Sequence, residues 1–257
     1  MEHVLHREPS SPLPTVRHVD WHCPFAWLRA GWRDLVRQPG LALGYGGFVA
    51  LAGWILLAVA WADAAHLVPA LLGGFLLVAP VVAVGLYAIA QQLEETGSVS
   101  TSQAAVATRP HLPMLALFGL ALALALIAWE RVAAIVFALS YGGEVPALER
   151  FAAELLTVPA HRDALLALVA AGALFALAVY ASGLVAAPMI YHRGSDPVTA
   201  IVTSWRVCLR NPAAALVWAA CLALLVALGF ATLMLGLVVV FPWLAFASWH
   251  AYRDLVG

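Results

Sequence analysis

The stretch GWRDLVRQPGLALGYGGFVALAGWILLAVAW, residues 31–61, decides the fold. Arg33 and Arg37 stand among apolar side chains at its start, and from Gly40 to Trp61 no charged residue interrupts it. An apolar run of this length crosses the ~30 Å hydrocarbon of a bilayer as one α-helix, the conformation that satisfies its own backbone where water is absent. A surface helix of a soluble domain would carry a polar face, and this run has none.

Working outward, apolar stretches at 67–91, 113–137, 164–190, 212–230 and 232–252 predict five more spans beside the first at 40–61. The last two follow one another without a charged break, so a tight turn is expected near Gly229 to Thr232. Composition points the same way: with 64% hydrophobic and 11% charged residues, a soluble domain lacks the core volume to bury its apolar surface. The net charge of -1 gives no sign of a nucleic-acid partner. The first 39 residues lack the apolar core of a cleaved signal peptide, so the first span is expected to stay as an anchor. Cys23, Cys208 and Cys221 show no CxxC spacing and are expected to be free thiols. The expected fold is all-α and polytopic, with a flexible cytoplasmic tail over 1–23 and a single six-helix membrane domain over 24–256.

The 13 basic residues are all arginine. With the N-terminus in the cytoplasm, Arg7, Arg17, Arg29, Arg33, Arg37, Arg109, Arg193, Arg206, Arg210 and Arg253 fall inside, against Arg131, Arg150 and Arg162 outside. The positive-inside rule therefore predicts cytoplasmic N and C termini in a bacterial inner membrane. Trp21, Trp27, Trp32, Trp205 and Trp249 then gather near the inner interface, and Trp61 and Trp129 near the outer one.

The sequence also repeats. Trp32-Arg33 precedes Pro39 and a span, and Trp205-Arg206 precedes Pro212 and a span at the same offset; a weaker copy runs from Ser100 through Arg109-Pro110. Each unit, at roughly 24–95, 98–193 and 195–256, reads as an amphipathic interfacial helix followed by two spans. The second span of each carries a proline, Pro80, Pro188 or Pro242, which should kink it. In the first lead-in helix Phe25, Leu28, Trp32, Leu35 and Val36 form an apolar face beside Arg29, Arg33 and Arg37, as in a helix lying on an anionic membrane. In the third, Asp196 caps the helix ahead of Pro197, and Val198, Ile201, Val202, Trp205 and Leu209 supply the stripe. Ser100 and Gln103 offer the middle helix a capping box. A short amphipathic helix is expected outside at 146–157.

Sites for chemistry are sparse. Ionisable groups inside spans mark transport pathways because they are expensive there; the exception here is Glu130-Arg131, read as an interfacial pair or a buried functional one. Of nine histidines, His192 and His250 end the fourth and sixth spans on one side and form the best, still weak, pair for a cofactor. His22-Cys23-Pro24 resembles the short Cys-Pro element of haem-responsive proteins, but Pro24 also serves simply to start a helix. No nucleophile elbow, P-loop, dinucleotide fingerprint or HExxH is present, and no catalytic residue, metal or cofactor is predicted. Gly40 and Gly44 make a GxxxG ahead of Tyr45-Gly46-Gly47, for packing within the chain first and homodimerisation second.

GWRDLVRQPGLALGYG at 31–46, GLYAIAQQLEETG at 85–97 and FPWLAFASWHAYRDLV at 241–256 together resemble a bacterial family of predicted integral membrane proteins of unknown function, some members of which carry a cytochrome c oxidase subunit label. The resemblance runs from about Trp21 to Val256 and implies a multi-pass inner-membrane protein. Catalytic oxidase subunits bind haem and copper through histidines deep in their spans, which this chain lacks, so the label implies an accessory or assembly subunit. The expected function is that of a non-catalytic accessory, assembly or scaffold component of a membrane complex, with a small-solute transporter or lipid-handling protein as the alternative. The interfacial residues expected to meet lipid or partner subunits are Arg29, Trp32, Arg33, Arg37, Trp205, Arg206, Trp249, His250, Tyr252 and Arg253.

Overall fold

A computed structural model describes residues 13–63, 74–75, 78–141 and 159–257. These form helices α1 (Cys23–Arg37), α2 (Pro39–Asp63), α3 (Val84–Glu95), α4 (Thr101–Thr108), α5 (Leu112–Tyr141), α6 (Pro159–Gly183), α7 (Ala186–Arg193), α8 (Pro197–Arg210), α9 (Pro212–Ala231) and α10 (Leu237–Leu255). Among the described residues there is no strand, only an antiparallel bridge between Val16 and Val256 that ties the two ends of the chain together. The predicted helix at 146–157, most of the first half of the 67–91 span and residues 1–12 lie outside the described residues.

Among the described residues, four helical segments are long and apolar enough to cross a membrane: Pro39–Ala58, Thr101–Val136, Leu165–Arg193 and Pro212–Ala231. No more than 28% of any of these windows is buried inside the protein, so their apolar side chains face outward and need a non-aqueous solvent. The protein is an all-helical integral membrane protein.

The last helix differs from these four. Leu237, Leu244, Phe246, Trp249, Tyr252 and Leu255 of α10 are all buried, and α1, α2, α3 and α9 pack around it. α10 runs past the predicted 252 boundary, and the polar Trp-His-Ala-Tyr-Arg-Asp of its final turns keeps it out of the long apolar set. Glycine seats its neighbours. A Cβ on Gly31 of α1 would lie 2.5 Å from the Ala247 amide nitrogen and 2.8 Å from the Trp243 carbonyl oxygen. One on Gly46 of α2 would overlap the Val238 carbonyl and come within 2.7 Å of its Cα. That carbonyl is the one Pro242 cannot engage, lacking an N–H, so the proline that weakens α10's ladder also opens the place where α2 approaches. Gly40 and Gly44 have nothing within 4 Å of such a Cβ, so the in-chain packing expected of the GxxxG is made by Gly46 instead.

The turn between α9 and α10 falls at Thr232 to Gly236, a few residues beyond the predicted Gly229 to Thr232. Thr232 organises it: its Oγ1 donates to the Gly229 carbonyl (2.9 Å) and accepts from the Gly236 amide (2.8 Å). Leu233 and Met234 take left-handed φ values of 53° and 67°, which non-glycine residues adopt only at a cost. The buried Met234 side chain packs toward Gly53, and the Trp54 indole donates to the Leu233 carbonyl (2.7 Å), fixing the hairpin on α2.

Core burial is concentrated at the end of the bundle where residues 14–19 meet the last turn of α10: Trp27, Leu86 to Ala90, Val185 to Ile190, Val207 and Phe246 to Tyr252 are buried or nearly so. Pro188 divides what would be one helix, and α6 gives way to α7 at Leu184–Val185. Ser204 Oγ of α8 accepts the Val185 amide there (3.3 Å, buried). Ser204→Ala leaves that amide without its partner, and we expect a loss of about 1–2 kcal/mol, read as a lowered unfolding midpoint in detergent.

Candidate functional site

The polar side chains of the terminal end belong to four helices that the core brings together. α10 contributes Trp249, His250, Tyr252, Arg253 and Asp254; α7 contributes His192 and Arg193; α3 contributes Gln91 and Glu94; α1 contributes Trp27, Arg33, Asp34 and Arg37. The helical period puts Trp249, Tyr252 and Arg253 toward α7 and α3 while His250 and Asp254 face α1.

Toward α7, the Tyr252 hydroxyl lies 2.9 Å from His192 Nδ1 and accepts from Arg193 Nε at 3.0 Å. With one lone pair taken by Arg193, the hydroxyl keeps one hydrogen to give and one lone pair to receive, so the direction of its bond to Nδ1, and with it the role of Nε2, follows the imidazole tautomer. Arg253 stands 3.5 Å from that Nε2, too long for a strong bond. Arg193 also donates to the Gly257 carbonyl (2.7 Å), tying the C-terminus to α7. Toward α3, the Trp249 indole donates to Glu94 Oε2 (3.0 Å) and Arg253 donates to Glu94 Oε1 (3.3 Å), with its guanidinium over the Trp249 ring at 5.9 Å. The Arg253–Glu94 pair is 41% and 39% exposed, so water screens it and it contributes little alone.

Toward α1, His250 Nε2 is 2.7 Å from Asp34 Oδ2, and the Asp34 side chain is only 8% exposed. Arg37 stands 3.9 Å from its other oxygen, a looser contact. The Trp27 indole donates to Asp254 Oδ2 (2.7 Å). A cleft of about 240 Å³ opens beside this pair, lined by Ala30, Arg33, Asp34, Arg37, Leu93, Glu94 and His250.

His192, Trp249, His250, Tyr252 and Arg253 therefore lie in one cluster. The two imidazoles take separate partners, Tyr252 and Asp34. Among the described residues no group of three or more His, Cys, Asp or Glu is placed to hold a metal ion. Trp205 and Arg206 lie apart, on α8: the Trp205 indole donates to Ser182 Oγ (2.9 Å) and Arg206 to the Pro14 carbonyl (3.4 Å). Glu130 is half-buried and Arg131 exposed, within the third-span helix α5, and neither makes an ion pair among the described residues. Trp129 beside them stacks on Phe175 at 5.6 Å.

Both long lead-in helices have a third face that the apolar pattern does not reveal. On α1, Pro24, Trp27, Gly31, Asp34 and Leu35 turn inward, while Phe25, Trp32 and Val36 of the expected stripe remain exposed. On α8, Ala200, Thr203, Ser204 and Val207 turn inward, and Val198, Val202, Trp205 and Leu209 remain exposed. Each helix thus has a side packed on protein as well as an exposed apolar stripe. Burial on α8 raises the Cys208 thiol to about 11, which keeps it protonated and unreactive at neutral pH.

The caps follow their sequence signals with one exchange. Asp196 Oδ1 accepts from the Thr199 amide (3.0 Å) and Ser100 Oγ from the Gln103 amide (3.4 Å), but the Ser100 amide is taken by Gln92 (2.8 Å) instead of Gln103. Hydrogen bonds from Thr199 hold the Asp196 carboxyl below its ordinary value. A depressed folded value makes the cap's contribution complete above the unfolded carboxylate range, near pH ~4, and lost as the pH falls through it. Asp196→Ala should therefore cost about 1 kcal/mol at pH 7, and its difference from the wild type should shrink below pH ~4. Unfolding midpoints at the two pH values check this.

A contact set that sequence reasoning missed is the docking of residues 14–19. Asn211, buried at the α8–α9 junction, accepts from the Val19 amide (2.9 Å), contacts His18 Nδ1 (3.1 Å) and donates to the Arg17 carbonyl (3.0 Å). Arg17 N donates to the Leu255 carbonyl and Gly257 N to the Thr15 carbonyl, both at 2.9 Å. The signal available was one buried-amide residue at a helix junction, too common to read.

No curated protein and no solved structure matches the chain. A family model matches residues 67–192, the segment that holds α3 to α7 with Gln91, Glu94 and His192. The family that this model describes is a predicted integral membrane protein family (DUF2189) of unknown function, and the likeness covers just under half of the chain.

Proposed function

We propose that the protein is a non-catalytic accessory, assembly or scaffold component of a membrane-protein complex in the bacterial inner membrane. The reading assigns it six spans in three units of lead-in helix plus two spans, with N and C termini in the cytoplasm and one membrane domain over 24–256. The observation that carries it is the mutual pairing of the polar cluster. Asp34 with His250, Glu94 with Trp249 and Arg253, Tyr252 with His192 and Arg193, and Asp254 with Trp27 use their polar atoms to hold helices together. Asp34, Glu94 and His250 also line the cleft of about 240 Å³, but each of them is already engaged by a partner on a neighbouring helix.

The repeat has support in both registers. Pro24, Trp32, Arg33, Arg37 and Pro39 stand at the same offset from Pro197, Trp205, Arg206, Arg210 and Pro212. The residues that end the two lead-in helices, Gln38 and Asn211, have nearly the same backbone angles, φ -132° ψ 56° and φ -130° ψ 53°. The exposed apolar faces of α1 and α8 are available to the flanks of other membrane subunits. Purification of tagged protein from its native membrane in mild detergent, with mass spectrometry of stoichiometric partners, tests the proposal. Recovery of other membrane subunits in near-equal amounts is expected, and recovery of the chain alone from several detergents contradicts it.

A further inference from the structure

The cleft between α1, α3 and α10 contains two carboxylates and two arginines, but the carboxylates are committed elsewhere. Asp34 meets His250 at 2.7 Å, and Glu94 accepts from Trp249 and Arg253. Arg33 makes no ion pair among the described residues, and Arg37 has only the 3.9 Å approach to Asp34. Both arginines are exposed at the mouth, while Leu93 is buried and Ala30 half-buried behind them.

Residues four apart on a helix share a face, with Cβ atoms about 5–6 Å apart, so two guanidinium forks can close on one tetrahedral oxyanion. Guanidinium suits this role because its planar N–H groups match two phosphate oxygens at once. The cleft, at about 240 Å³, is below the ~300–1,000 Å³ usual for small-molecule sites, which leaves room for a phosphoryl head and little more. Its position supplies the rest of the ligand. Trp32 and Val36, beside Arg33 and Arg37 on α1, are 44% and 59% exposed and offer an apolar flank suited to acyl chains.

We propose that this cleft binds one phosphate group, held by Arg33 and Arg37 against Ala30 and Leu93, with an anionic phospholipid headgroup as its membrane source and soluble phosphate as its aqueous one. The site goes beyond the accessory role and requires only that the protein be embedded in a membrane, so it stands or falls apart from partner recovery.

The test uses the full chain, exchanged into neutral detergent, with bound molecules counted by native mass spectrometry. The probes are dioleoylphosphatidylglycerol, dioleoylphosphatidylcholine and inorganic phosphate. One phosphatidylglycerol per chain is expected, held about tenfold more tightly than phosphatidylcholine. Arg33→Gln, which breaks no ion pair among the described residues, should weaken it about tenfold, and Ala30→Leu, which fills the cleft without changing a charge, should do the same. Arg29→Gln, outside the cleft on the same arginine stripe, should change it by less than about twofold. Competition by inorganic phosphate at millimolar concentration assigns the site to soluble phosphate; its failure to compete assigns it to the lipid headgroup. Equal losses in Arg29→Gln and Arg33→Gln, an unaffected Ala30→Leu chain that keeps its unfolding midpoint, or no binding of phosphatidylglycerol or phosphate overturns the proposal.

Discussion

His250→Ala is expected to lower stability by about 3 kcal/mol, more than any other single change in the terminal cluster. The cost comes from what remains. Asp34 is 5% exposed, and without the imidazole its carboxylate retains only the distant Arg37 guanidinium. Removing one member of a buried pair leaves the other desolvated and uncompensated, which is worse than removing both. The double variant Asp34→Asn/His250→Ala should therefore recover a large part of the loss. Unfolding midpoints of the detergent-solubilised variants measure this, and a His250→Ala protein as stable as the wild type would mean that the pair merely decorates the interface.

Gly46→Ala is expected to cost about 3 kcal/mol, since a methyl group there occupies the place of the Val238 carbonyl and α2 must move off α10 to admit it. Backbone cannot rotate away as a side chain can. Gly47→Ala provides the control: nothing lies within 4 Å of its added carbon, and alanine favours helix over glycine by about 1 kcal/mol, so this variant should be neutral or slightly stabilised. Equal midpoints for the two variants contradict the close seating of α2 on α10.

These two positions also show what was legible in the sequence. Long apolar runs are visible because lipid imposes a minimum length on each helix, and caps are visible because Asp196-Pro197 and Ser100 act on amides a few residues away. Partnerships across the fold leave no such local mark. Gly46 differs from Gly40, Gly44 and Gly47 only in facing the carbonyl that Pro242 frees, and Asp34 looks like one charge among the arginines of α1 until His250 is brought to it. Apolar periodicity found the exposed apolar stripes of α1 and α8 but not their protein-facing sides, which consist largely of small or polar residues such as Gly31, Ala200, Thr203 and Ser204. The central place of α10 was hidden because burial by protein relaxes the demand for hydrophobicity that lipid makes on a span. The clustering of His192, Trp249, His250, Tyr252 and Arg253 follows from α7 and α10 ending on the same side; the assignment of each hydrogen bond required the packing.

The proposed six-span arrangement is tested most directly by cysteine accessibility in intact cells, with Cys23, Cys208 and Cys221 first replaced by serine. Single cysteines placed at Ser98 and Gly194, and at Leu233 in the α9–α10 turn, are treated with a membrane-impermeant maleimide before and after the inner membrane is opened. The account predicts that Leu233→Cys reacts in intact cells, whereas Ser98→Cys and Gly194→Cys react only after opening. Labelling of Ser98→Cys or Gly194→Cys from outside, or protection of Leu233→Cys until the membrane is opened, would contradict it.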